Sequence, residues 1–163
     1  MSDQPQSSEG LAKSDYELLA EFRYTLRKFL GFSEAMAVKH GVTAQQYQAL
    51  LAIEGFPGRN WVTVGELAEQ LRTTHHSAVG LVDRMEILRL VSREKSSEDR
   101  RRVHVTLTTK GRGLLEKLYR VHRTELKAVG PRLIGLLQKA SEDVPGGTPS
   151  YSSPACFLPE IED

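Results

Sequence analysis

Between Ser97 and Gly111 the chain reads SEDRRRVHVTLTTKG, and no other stretch narrows the choice of fold as far. Five charged residues, Glu98 to Arg102, run directly into an alternation of Val103, Val105 and Leu107 with His104 and Thr106. Successive strand side chains point to opposite faces, so the pattern is a charged tip feeding a half-buried strand. Val91-Ser92-Arg93-Glu94-Lys95 can supply the partner strand, giving a hairpin with guanidinium groups at its apex. The residues just before it have the pattern of two short helices joined by a tight turn.

Capping boxes mark the helix starts: a Ser or Thr, with Glu or Gln three residues on, satisfies amides that the first helical turn leaves free. Ser14-Asp15-Tyr16-Glu17 opens a helix with Leu19, Phe22, Leu26, Phe29, Phe32 and Met36 on one face, closed by Lys39-His40-Gly41. Thr43-Ala44-Gln45-Gln46 opens a second with Tyr47, Leu50, Leu51 and Ile53 inward, ended by Gly55-Phe56-Pro57-Gly58. Trp61-Val62 reads as a short extended piece. Thr63-Val64-Gly65-Glu66 opens a third with Val64, Leu67, Ala68 and Leu71 inward, and Arg72-Thr73-Thr74 is the turn. Thr74 then N-caps a helix to about Arg89, with Ala78, Leu81, Val82, Met85 and Leu88 inward. After the hairpin, Thr108 caps a long helix bearing Leu114, Leu115, Leu118 and Val121. Gly130-Pro131 is expected to interrupt it before a last helix with Leu133, Ile134, Leu136 and Leu137.

The expected fold is mainly α with a small β-hairpin wing: a winged helix–turn–helix with N- and C-terminal dimerisation helices. Residues 1–13 read as a disordered N-terminus and 14–140 as the folded domain. Its core lies at about 43–107, with outer helices at about 14–40 and 108–140. Residues 141–163, with VPGGTPSYSSP, read as a flexible acidic tail.

A length of 163 residues suits one domain, and a hydrophobic content of 39% is lean enough for part of the core to be shared with a second copy. The long apolar stripes at both ends exceed what a small winged unit can cover, which points to a homodimer. No apolar run approaches the ~18 residues of a membrane span. The N-terminus lacks the apolar segment of a signal peptide, and the single Cys156 cannot form an internal disulfide. These features set the expectation of a cytoplasmic protein with no membrane partner.

Net charge is +1, but it is unevenly spread. The tail holds five acids and no Lys or Arg, so residues 1–140 carry 22 basic and 16 acidic side chains, a net +6. An acidic tail thus masks a body suited to a polyanion.

In a helix–turn–helix, the N-terminal part of the second helix enters the major groove. That makes Thr74, His75, His76, Ser77, Val79 and Gly80, with Arg84 beyond them, candidates for contact with double-stranded DNA. Gly80 is costly inside a helix. It reads either as room for close approach to DNA or as a tolerated glycine. Asp99, Arg100, Arg101 and Arg102 at the wing can reach the neighbouring minor groove, whose negative potential attracts arginine. His75 and His76 point about 100° apart on a helix and do not suit one metal ion. No metal, no cofactor and no catalytic motif is read, so the chain is not expected to be an enzyme.

The stretch VGELAEQLRTTHHSAVGLVDRMEILRLVSREKSSEDRRRVHVTLTTKG resembles the MarR family of bacterial transcription regulators. The resemblance spans roughly residues 15–140 and is carried by GELAEQL, LVDRME, LVSRE, the SEDRR wing and LTTKG. It implies a dimeric winged helix–turn–helix regulator joined through its terminal helices. The family's wing carries an Asp-x-Arg pattern, which falls on Asp99 and Arg101 and makes Arg101 the minor-groove residue and Asp99 its organiser. It also implies a small aromatic or lipophilic ligand that loosens DNA binding. Oxidant sensing by a first-helix cysteine does not fit, since none is present there. Two positions where the family often has Gly, at the helix–turn–helix turn and after the recognition helix, are Arg72 and Arg89 here.

The function expected is that of a sequence-specific DNA-binding regulator, a repressor acting as a homodimer on a pseudo-palindromic operator. The alternative is a winged-helix protein-interaction module without DNA binding.

Overall fold

The structure, a computed structural model, describes residues 11–95 and 103–142. In chain order the elements are α1 (Lys13–Lys39), α2 (Ala44–Glu54), β1 (Trp61–Val62), α3 (Val64–Leu71), α4 (His75–Ile87), β2 (Val91–Lys95), β3 (Val103–Leu107) and α5 (Thr109–Glu142). The fold class is as expected: mostly helical, with a small antiparallel sheet.

The helix starts follow from the caps. Thr43 Oγ1 accepts from the Gln46 N–H at 3.1 Å, and Gln46 Oε1 accepts from the Thr43 N–H at 2.9 Å. Thr63 and Glu66 repeat the exchange at the head of α3. Thr108 Oγ1 accepts from the Gly111 N–H at 3.0 Å and donates to the Arg89 carbonyl at 2.6 Å, so one hydroxyl caps α5 and ties down the turn after α4. The Ser14–Glu17 box is not the one used. The first helix starts two residues sooner, with Ala12 as its N-cap and the Asp15 carboxylate accepting from the Ala12 N–H at 2.7 Å.

Strand order is β1-β3-β2, antiparallel throughout, with Val91 opposite Leu107 and Lys95 opposite Val103. The Trp61-Val62 piece is a true third strand, with Trp61 opposite Thr106 and Val62 opposite Val105. Val62, Val91, Val105 and Leu107 face a core completed by Leu50, Ile53, Leu67, Leu81, Met85, Leu90 and Leu118. Leu118 brings α5 into that core, so the long helix is anchored to the winged unit at its first half. Arg112 strengthens the anchor through Glu54 of α2, Nε to Oε1 at 3.1 Å.

Both arginines at expected glycine positions adopt the left-handed conformation, with φ of 51° at Arg72 and 57° at Arg89. The turns therefore keep the geometry that glycine usually provides, at a cost of about 1–2 kcal/mol each for an L residue. Close packing explains Gly111. A β-carbon there would lie 2.0 Å from the Leu90 carbonyl oxygen, so only glycine lets α5 start against the strand root.

Three expectations need correction. Gly130-Pro131 does not interrupt the last helix: α5 runs unbroken from Thr109 to Glu142. Pro131 removes one ladder bond, but it lies on an exposed side where water can reach the freed carbonyl. The segment beyond it is held on α1 by buried Leu136 and by Arg132 Nη2 to Glu21 Oε1 at 2.8 Å. Leu51 and Leu88, assigned to inward stripes, are 40% and 38% exposed. Leu88 is already the C-cap of α4, where the chain has left the helical stripe. Leu19 is also exposed in the single chain, at 58%.

Candidate nucleic-acid interface

The Thr74 hydroxyl accepts from the Ser77 N–H at 3.2 Å and donates to Ser77 Oγ at 2.9 Å, so two of the residues expected to face DNA fix the start of α4. Ala78, Leu81, Val82 and Met85 are buried on one side of the helix. At about 100° per residue, His76, Gly80, Asp83 and Ile87 fall opposite them. His75, His76, Ser77 and Arg84 are exposed, and Val79 and Gly80 are half-buried. The predicted recognition residues thus share the outer surface of α4. Asp99, Arg100, Arg101 and Arg102 lie outside the described residues.

The helix itself has two acids, Asp83 and Glu86, and one wing residue holds both. Arg93 on β2 donates from Nη2 to Asp83 Oδ1 at 2.6 Å and pairs through Nη1 with Glu86 Oε2. Its backbone N–H also donates to Glu86 Oε1 at 3.1 Å. The contact fixes β2 against the end of α4 and offsets one of the two negative charges there. Sequence reasoning missed this role. Its only signal was a lone Arg inside a strand whose partners lie seven and ten residues back.

A second cluster braces the other edge of the sheet. The Arg59 guanidinium lies 3.8 Å from the Trp61 ring centroid and 4.4 Å from that of Phe56. Trp61 in turn stacks on His104, with centroids 3.5 Å apart and planes 17° from parallel. Arg59 also pairs with Glu66 of α3. Burial pushes the Glu66 carboxyl up, but hydrogen bonds from the Thr63 N–H, Arg59 and the Thr63 hydroxyl prevail and hold it below its ordinary 4.5. The stack joins the start of the helix–turn–helix to the strand that returns from the wing tip.

Away from α4, the junction of the outer helices with the winged unit is lined by aromatic groups. His122 of α5 is buried, donating from Nδ1 to the Leu118 carbonyl at 2.7 Å and pairing through Nε2 with Ser33 Oγ of α1 at 2.8 Å. Tyr47 stacks on it at 4.6 Å, and Phe29 and Phe32 meet it edge-on. Burial raises the Tyr47 phenol above its ordinary range. Beside this cluster, a cleft of about 300 Å³ opens between α2 and α5, lined by Leu51, Leu115, Tyr119 and the Arg112–Glu54 pair. At the far end of α1 and α5, Leu19, Ile134 and Leu137 stand more than half exposed. Among the described residues, no helix is long and apolar enough to cross a membrane.

Residues 40–102 match the sequence model of the MarR family. No curated protein sequence matches the chain. Among solved structures, AbsC, a MarR family transcriptional regulator from Streptomyces coelicolor, superposes with a TM-score of 0.66 at 21% identity, over 82% of this chain and 93% of that one. A mutant of MepR from Staphylococcus aureus bound to an oligodeoxyribonucleotide gives 0.58 at 21% identity, over 78% and 92%. BpsR of Bordetella bronchiseptica, whose DNA binding is regulated by 6-hydroxynicotinic acid, gives 0.57 at 19% identity, over 77% and 98%. The resemblance carried by the sequence motifs is thereby confirmed, and the fold is that of the MarR winged-helix regulators.

Proposed function

We propose that this MarR-type winged-helix chain is a sequence-specific DNA-binding transcription regulator, acting as a homodimer and as a repressor. One observation carries the reading: α4 turns an exposed polar face to solvent, and its only two acids are both engaged by Arg93. Thr74, His75, His76, Ser77, Val79, Gly80 and Arg84 then meet base edges and phosphates in the major groove. Arg100, Arg101 and Arg102 lie in the segment joining β2 to β3 and serve the minor groove, with Asp99 orienting Arg101 by a carboxylate–guanidinium pair.

The exposed apolar residues at the ends of α1 and α5 support the homodimer, as does the lean composition. Two copies would read half-sites about 10 base pairs apart, or a multiple of that. The apolar walls of the α2/α5 cleft, Leu51, Leu115 and Tyr119, support control by a small aromatic or lipophilic ligand. Such a ligand would act at the junction of the outer helices with the winged unit.

The test is binding to random and operator duplex across a salt series. A regulator shows a steep counterion-release slope, and Arg101→Ala lowers that slope by about one. Asp99→Ala should weaken binding as Arg101→Ala does, although it removes a negative charge. A flat salt dependence would instead identify a protein-interaction module.

A further inference from the structure

Arg84 and Gly80 occupy one patch of the outer face of α4. They lie one helical turn apart, and side chains on a helix lean toward its N-terminus. The Arg84 guanidinium follows that lean. A β-carbon built at Gly80 would have Arg84 Nη1 as its nearest neighbour, at 3.4 Å. The arginine head therefore lies against the glycine, in the path of any side chain longer than a methyl. The usual reason for a glycine, a positive φ, does not apply here, since Gly80 is an ordinary helical residue.

The electrostatics of the helix agree. An exposed Arg flanked by Asp83 and Glu86 would normally be drawn to one of them. Both are taken by Arg93, and among the described residues Arg84 has no ion pair. Its guanidinium, with five N–H donors, lies on the exposed surface that faces outward from the core. A planar fork of donors matches O6 and N7 of guanine in the major groove better than any other base edge.

Resting on the DNA-binding reading above, we infer that Arg84, laid back over Gly80, reads one guanine per half-site, and that Gly80 is the slot that lets it do so. Position 80 thus contributes to specificity by having no side chain longer than a methyl. This resolves the two readings of the glycine in favour of a third: it makes room for a neighbouring arginine.

The experiment selects bound sequences from a random duplex library with the full chain and its variants, then measures affinity for the selected duplex. The wild type should enrich a site with a fixed guanine in each half. Replacing that guanine by 7-deazaguanine, which lacks the N7 acceptor, should weaken binding. Arg84→Ala should erase the preference at that base by roughly 5- to 150-fold, the range of one bidentate contact, while leaving the other positions unchanged. Gly80→Leu fills the slot and should erase the same preference. In an Arg84→Ala background, Gly80→Leu should add no further loss at that position. Gly80→Ala, whose methyl only reaches contact distance, should keep the preference and raise Tm, because alanine is the better helix former. A uniform loss over all sequences with Arg84→Ala, and a salt slope lowered by about one, would make the arginine a phosphate contact and overturn the proposal. So would a guanine preference that survives in Arg84→Ala. A wild-type chain that enriches no sequence at all would overturn the DNA-binding reading as well.

Discussion

Arg93 Nη2 on β2 sits 2.6 Å from Asp83 Oδ1 on α4, and the same guanidinium also holds Glu86. The pairs are partly exposed, so their contribution to stability is small, no more than about 1 kcal/mol each. Their electrostatic role is larger, because both acids lie on or beside the face proposed to meet DNA. Arg93→Ala should leave Tm within a few degrees of the wild type. It should lower affinity for any duplex, most of all at low salt. Equal affinity across a salt series would show that the two carboxylates play no part at the interface.

Gly111 should tolerate no side chain. A methyl there would overlap the Leu90 carbonyl, which is backbone and cannot turn aside. Gly111→Ala should therefore destabilise the fold by at least about 2 kcal/mol, in the upper part of the range for overpacking. Chemical denaturation would measure it. A glycine-to-alanine change elsewhere in α5, at Gly113, meets nothing within 4 Å and should be neutral or stabilising.

Glu66 sets an acid limb. Its carboxyl is held below 4.5 in the folded chain, so the stability it contributes is complete above that pH and fades as pH falls through the lower folded value. Glu66→Gln should flatten the loss of stability in that window and lower stability at neutral pH. A pH series of thermal melts for both proteins gives the comparison. Parallel curves would mean that the pairing with Thr63 and Arg59 has no energetic weight.

The outer helices should hold two copies together. Leu19 on α1 and Leu137 on α5 line an apolar cleft of about 360 Å³ with Phe22 and Leu136, and both are more than half exposed in the single chain. Leu19→Glu or Leu137→Glu should shift sedimentation from dimer to monomer at micromolar concentration. Operator affinity should fall with it, because one recognition helix then acts alone. A wild type that sediments as a stable monomer would remove the basis of the dimer.

Ligand control should obey reciprocity. A lipophilic aromatic acid that weakens operator binding must itself bind less tightly to the DNA complex, by the same factor. Calorimetry with salicylate as the probe, with and without operator, measures both sides. Equal affinities would exclude control by this route.

Local signals in the sequence were read well because their causes are local. The Thr43–Gln46 and Thr63–Glu66 boxes, the Thr74 and Thr108 caps and the β2–β3 alternation each involve residues a few positions apart. Tertiary causes escaped. Pro131 looked like a break because its cost is visible in the chain, whereas Leu136 and Glu21 become its compensation only after α1 folds alongside. Trp61 pairs with Thr106, forty-five positions on, and nothing near it names that partner. Arg72 and Arg89 could be flagged as departures, but whether each took a left-handed angle or avoided it depended on the turn around it. For the candidate site, the outer residues of α4 were legible from helical spacing. The hold of Arg93 on Asp83 and Glu86 was not, since several acids were equally eligible.

An uninterrupted α5 is a lever arm. Its 34 residues span about 50 Å, with Gly111 seated on the strand root at one end and Leu136 and Leu137 at the other. Without a joint at Pro131, a tilt at the far end cannot be absorbed midway. A rotation of about 4° over that length moves the opposite end by about 3.5 Å, on the order of one base-pair step along a duplex. In the proposed dimer, with two copies joined at those far ends, a few degrees of angle would thus suffice to carry the two α4 helices out of phase with the half-sites proposed for them.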